Sequence, residues 1–209
     1  MKNKRMMTVM ILALVAIFAG GVTLAYFTDT SDSVENTFTM GNVEIELDEA
    51  ELKETITPSG TTWTALTERV RDNTYSNLYP GAVLPKDPTV YNVGANPAYI
   101  RVKVTLAPYD VFDRLLEADP SVLWDSTLGS GWVLASSANG VYTYNYTNIV
   151  TNDANMKIPP LFTSVSIPAE FNNTAMTSIN GFTINVVAEA IQSQGFDNVT
   201  EAFEEFVAE

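Results

Sequence analysis

The chain has 209 residues, with 11 Lys and Arg against 25 Asp and Glu, a net charge of −14, and neither His nor Cys. That balance excludes nucleic acid and anionic lipid surfaces as partners, because both are held by Lys and Arg on phosphates. Without His the usual nucleophilic triads lose their base, and without Cys or His the common zinc ligands are missing.

Lys2, Lys4 and Arg5 open the chain, and Met6 to Thr28 carries no charge. Met6 to Gly20 is almost wholly apolar, Gly20-Gly21 breaks the helical pattern, and Thr23-Leu24-Ala25 follows. A basic start, an apolar run and a small-residue site describe a secretory signal peptide over residues 1–25, cut between Ala25 and Tyr26. Contact with a membrane is then transient and confined to the leader, and a signal peptidase is a partner during export. The leader takes its three basic residues with it, so the mature chain carries 8 basic residues against 25 acids, a net −17. A chain of 184 residues buries enough apolar surface for one domain without disulfides.

After the leader, apolar and polar residues alternate with period two, as in half-buried strands. Val34, Asn36, Phe38 and Met40 hold even positions, whereas Val43, Ile45 and Leu47 hold odd ones. A strand changes faces only through an extra residue or a bend, which makes Gly41 a bulge or hinge. Residues 49–79 are polar and weakly patterned, and read as a long excursion with at most short elements. Alternation returns at Ile100 to Leu106, Tyr142 to Tyr146, Val165 to Ile167 and Phe182 to Ala188. Turn-forming clusters separate these runs: Tyr79-Pro80-Gly81, Gly94-Ala95-Asn96-Pro97, Asn139-Gly140 and Asn180-Gly181.

Two short helices interrupt the pattern. Phe112, Leu115 and Leu116 have helical spacing after Asp110, which reads as a cap. Val199, Ala202, Phe203, Phe206 and Val207 form an apolar stripe behind a capping-box pair, Asn198 and Glu201. The whole predicts an all-β, antiparallel β-sandwich over residues 41–209 with one or two short helices.

The sequence offers no catalytic constellation. It has no P-loop or dinucleotide glycine pattern, and no Lys has a Ser three residues before it. Calcium is the one cofactor the composition permits. Its nearest cluster, Asp197-Asn198 with Glu201, lacks EF-hand spacing and reads as helix capping, so no metal or cofactor is expected. Tyr142, Tyr144 and Tyr146 form a one-faced ladder, read as core or subunit interface ahead of a glycan-binding surface.

The segments Gly20-Gly21-Val22-Thr23-Leu24-Ala25-Tyr26-Phe27-Thr28-Asp29 and Asn36-Thr37-Phe38-Thr39-Met40-Gly41-Asn42-Val43 resemble the TasA/camelysin family of exported proteins. Tyr79-Pro80-Gly81, Asn92-Val93-Gly94 leading into Tyr99-Ile100-Arg101-Val102, and the late strand Ile184 to Ile191 also resemble that family. The likeness is specific over residues 1–48, moderate over 79–106 and around 181–196, and weak elsewhere. It implies cleavage before Tyr26 by a SipW-type signal peptidase, a jelly-roll-like sandwich, and a subunit of an extracellular or biofilm-matrix fibre. It further implies that one subunit's N-terminal segment completes the sheet of the next, whether a copy of itself or a related matrix subunit. Residues 26–40 would be that donor strand, with Tyr26, Phe27, Val34, Phe38 and Met40 as its apolar contacts and Gly41 as the bend. The alternative is that residues 34–40 form an ordinary edge strand of their own domain. The other functional readings are a secreted, monomeric binding module and a camelysin-like metallopeptidase. A chain without His or Cys departs from the last.

Overall fold

A computed structural model describes residues 42–58, 60–116, 123–124, 129–153 and 158–206, all within the unit Met40–Glu209. The expected leader, the donor segment 26–40 and the hinge Gly41 lie outside the described residues.

Among the described residues, nine strands and three short helices follow in order: β1 Ile45–Thr57, β2 Gly60–Val70, β3 Val83–Pro85, β4 Thr89–Asn92, β5 Ala98–Ala107, α1 Tyr109–Leu116, β6 Trp132–Ala138, β7 Val141–Val150, β8 Ser164–Ser166, α2 Asn173–Ser178, β9 Thr183–Gln192 and α3 Val199–Glu204. The strands make three antiparallel sheets, ordered β2-β1-β4, β3-β8 and β6-β7-β5-β9. The all-β antiparallel expectation holds.

The four-stranded sheet supplies one wall of the core. Ile100, Val102 and Val104 of β5 stand opposite Tyr146, Tyr144 and Tyr142 of β7, and opposite Ala190, Ala188 and Val186 of β9. Period-two alternation puts all of these on one face. Leu84, Val90, Leu161, Phe162, Val165 and Ile167 fill the space facing them. The tyrosine ladder is therefore core. Trp124 meets Tyr142 edge-on at 5.0 Å and donates through Nε1 to the Tyr144 hydroxyl at 3.0 Å, while Trp132 packs on Tyr146 at 5.1 Å.

The Asn139-Gly140 turn joins β6 to β7 in two residues, both with positive φ (51° and 78°). These are the dihedrals of a type I′ hairpin, whose twist matches that of the strands. A Cβ at Gly140 would also stand 2.5 Å from that of Tyr109.

Residues 49–79 correct the sequence reading. They hold most of β1 and all of β2, two long strands paired from Glu49↔Val70 to Thr57↔Gly60. Beyond Ala50 the ribbon stands largely in solvent, with Ile56 70% exposed and Leu66 37%. One face is exposed along its length and the other is covered only around Thr61 and Trp63, so little apolar stripe is needed and period-two patterning vanishes although the strands remain. Trp63, opposite Glu54 and towards the tip, is stacked on Tyr79 at 6.1 Å.

The helix ends refine two further expectations. Asp110 is not the cap of α1 but a residue of its first turn, where its carbonyl accepts from Arg114 Nε. Asn198 does cap α3, accepting from the amides of Thr200 and Glu201 at 3.0 Å each. Glu201 reaches back to the Asp197 amide, one residue earlier than in the usual box. The helix α2 was not expected; the Asn172 side chain caps it by accepting from the Ala175 amide.

Candidate functional site

The sheet order leaves β9 paired with β5 on one side and, among the described residues, with no strand on the other. Its inward side chains show the consequence. Ile184, Val186, Ala188 and Ala190 touch the core yet are only half-buried, whereas their partners Leu106, Val104, Val102 and Ile100 are at most 1% exposed. The core is open along this edge.

Two adjoining hollows follow the edge. The larger, about 930 Å³, lies between Phe182 to Ile184, the face of α2 carrying Met176, and the segment Asn73 to Leu78. The smaller, about 340 Å³, continues past Ile184 to Val186, with Leu47, Glu49, Asp72 and Lys86 opposite. Asn73, Lys86 and Ile184 border both hollows, which makes them one groove.

The opposite wall is held by polar contacts suited to a short, irregular segment. Ser76 Oγ and Asn77 Nδ2 donate to the two Glu54 oxygens at 2.5 and 2.8 Å, and these bonds hold the Glu54 carboxyl below its usual range. Tyr75 donates to the Pro85 carbonyl at 2.9 Å. Burial first, then the carboxylates of Glu49 and Asp87, push its phenol above the ordinary tyrosine value. Arg69 bridges Asp48 at 2.7 Å and Asp87 at 2.5 Å where β1 leaves β4 for β2. The groove therefore has one wall of strand edge and one of pinned loop.

On the outer face of the same sheet α3 covers one patch. Tyr99, Val199, Ala202 and Phe203 form a second apolar cluster beneath α3. Arg101 lies 4.3 Å from the ring centre of Phe203 and 4.9 Å from that of Phe206, and ion-pairs with Glu189 across the strands. Lys103 joins the same carboxylate at 2.8 Å. Burial alone would raise the Glu189 carboxyl, but the bonds from Lys103 and Arg101 outweigh it and hold the group below its usual value.

The chain enters the fold at the other end of the sandwich. The amides of Gly94 and Asn96 donate to the carbonyls of Glu44 and Asn42 at 3.0 Å each. A Cβ at Gly94 would stand 2.5 Å from the Glu44 nitrogen, so glycine is what allows the two backbones to close. The Ser193 amide donates to the Pro97 carbonyl nearby, at the far end of β9 from Ile184. The entry point and the mouth of the groove thus stand at opposite ends of one strand, roughly 25 Å apart at about 3.3 Å per residue.

Of the residues singled out from sequence, Ala25, Tyr26, Phe27, Val34, Phe38, Met40 and Gly41 lie outside the described residues. The groove itself was not foreseen. Its only trace in the sequence is the alternation of Ile184 to Ala190, which marks a strand but not an edge. Among the described residues no three His, Cys, Asp or Glu side chains stand close enough together to hold a metal ion, and no helix is long and apolar enough to cross a membrane. Neither the models of known protein families nor the curated proteins contain a match to this chain.

Proposed function

We propose that the protein is a secreted structural subunit of an extracellular or biofilm-matrix fibre, as its resemblance to the TasA/camelysin family implies. Assembly adds residues 26–40 of one subunit to the open β9 edge of the next. The observation that supports this most is the half-buried row Ile184, Val186, Ala188 and Ala190 beside an unpaired strand edge. An added strand gains backbone hydrogen bonds from the edge and places alternate side chains against that row. Val34, Phe38 and Met40 supply an apolar face of the same period.

The polarity of the fold supports the same reading. The donor segment precedes Asn42 at one end of β9, and the groove opens at the other. A head-to-tail contact of that kind does not close on itself and propagates as a filament. Removal of residues 1–25 frees Tyr26 and Phe27, which couples assembly to export.

The test is negative-stain electron microscopy of the chain beginning at Tyr26 beside one beginning at Gly41. Filaments from the first alone are expected. Filaments from both would remove the donor role from residues 26–40. Two stable monomers would instead leave the groove as the ligand site of a secreted binding module.

A further inference from the structure

Where β1 passes from β4 to β2, Glu49 is 5% exposed and holds two nitrogen atoms at once. Its Oε2 pairs with Lys86 Nζ, and its Oε1 accepts from Asn73 Nδ2 at 3.0 Å. The Lys86 side chain is only 11% exposed. The Asn73 carbonyl oxygen accepts from the Leu52 amide at 3.1 Å, and its Nδ2 donates also to the Ala50 carbonyl at 2.8 Å. The Lys86 amide is tied to the Thr163 carbonyl at 3.1 Å, which fixes the backbone from which the lysine reaches in. A buried ion pair contributes little net stability compared with a packed apolar pair, so this arrangement is poorly accounted for as a stabilising contact.

Its chemistry accounts for it better. We propose that Lys86 and Asn73 form an intramolecular isopeptide bond, with Glu49 as the proton carrier. The carboxylate sits between a nucleophile, Lys86 Nζ, and a leaving group, Asn73 Nδ2. In the reaction Glu49 takes a proton from the Lys86 ammonium, with which it is already paired, and so frees the amine. The free amine then attacks Asn73 Cγ, and the oxygen that takes up negative charge already accepts the Leu52 amide. Glu49 returns the proton to Nδ2, the Cγ–Nδ2 bond breaks, and ammonia leaves. The remaining lysine proton departs with it, so the balance is ammonium plus amide to secondary amide plus ammonium ion. No oxidant, metal or co-reactant is needed. The bond would close a ring from Asn73, just after β2, to Lys86, just after β3.

The test is mass spectrometry of the purified full chain, read against the mass calculated from the N-terminus found in the same sample. Loss of ammonia lowers the mass by about 17 Da. After denaturation, trypsin should no longer cut at Lys86, giving a lightened fragment 72–101 in place of 72–86 and 87–101. Lys86→Arg and Glu49→Gln should each restore the full mass, and Lys86→Arg should restore cleavage. Full mass with release of unmodified 72–86 overturns the proposal. So does a deficit that survives in Lys86→Arg, because a succinimide at Asn73 has the same mass change and leaves the lysine untouched. Should either variant fail to fold, the fragment map of the unaltered protein decides alone.

Discussion

Placing a charge on the floor of the groove separates folding from assembly. Val186 stands opposite the fully buried Val104 yet is itself half-buried, because among the described residues no strand pairs with β9 on its far side. In the free subunit an aspartate there still reaches water, and Val186→Asp should cost about 1–3 kcal/mol of folding stability. A domain with about 5–15 kcal/mol in hand survives that loss. Once a donor strand is seated, the same carboxylate is shut against an apolar side chain with no partner. An unpaired buried charge costs about 3–5 kcal/mol. At about 1.4 kcal/mol per tenfold, the concentration needed for filaments should rise at least roughly a hundredfold. The assay is sedimentation of assembled material across a concentration series, with circular dichroism confirming the fold. Val133→Asp, on an outward residue 53% exposed, is the control and should assemble normally. A folded Val186→Asp protein that assembles at the unaltered concentration would refute the assignment of β9 as acceptor.

Three other perturbations test the frame around the groove. Glu189→Gln should cost about 1.5–3 kcal/mol near neutral pH, as hydrogen bonds to charged groups do. Because the folded carboxyl lies below its ordinary 4.5, its contribution is complete above that value and lost as pH falls through the folded value. Urea denaturation of both proteins should therefore converge in acid, and a gap that persists there would remove the role given to the ion pairs. Phe112→Ala empties a site of 0% exposure that meets the Phe182 ring edge-on at 5.2 Å, and thermal unfolding should register a loss of about 3–5 kcal/mol. Asn198→Ala removes the α3 cap for about 1 kcal/mol, visible as a lower denaturant midpoint; an unchanged midpoint would mean that α3 contributes nothing to the cooperative unit.

The interior of the fold was legible where one face is dry and the other wet. Ile100 to Leu106 and Tyr142 to Tyr146 alternate because β5 and β7 have the core on one side and polar groups on the other. The capping residue of α3 was legible for a local reason, since the pattern from Asn198 to Glu201 concerns one helical turn. What escaped was whatever depends on position within the whole. The β1-β2 ribbon lacks an apolar stripe because solvent bathes one face and the other is covered only around Thr61 and Trp63. Strand β3 is three residues long, too short to show a period. Strand β6 changes register between Leu134 and Ser136, which breaks its pattern midway. The groove draws on residues near 48, 75, 86, 176 and 184, and no local rule joins segments so far apart. Lys86, Asn73 and Glu49 were invisible as a trio for the same reason.

The position of β5 at the centre of its sheet has a kinetic consequence. One neighbour, β7, follows after a helix and another strand, and the other, β9, pairs Arg101 with Glu189, 88 residues further on. The sheet cannot be finished until nearly the whole chain is available, and folds dominated by such distant pairings form in about milliseconds to seconds rather than microseconds. For a polypeptide exported as proposed, that delay is useful. A chain so exported would remain threadable during passage through a narrow channel and acquire its final shape on the far side.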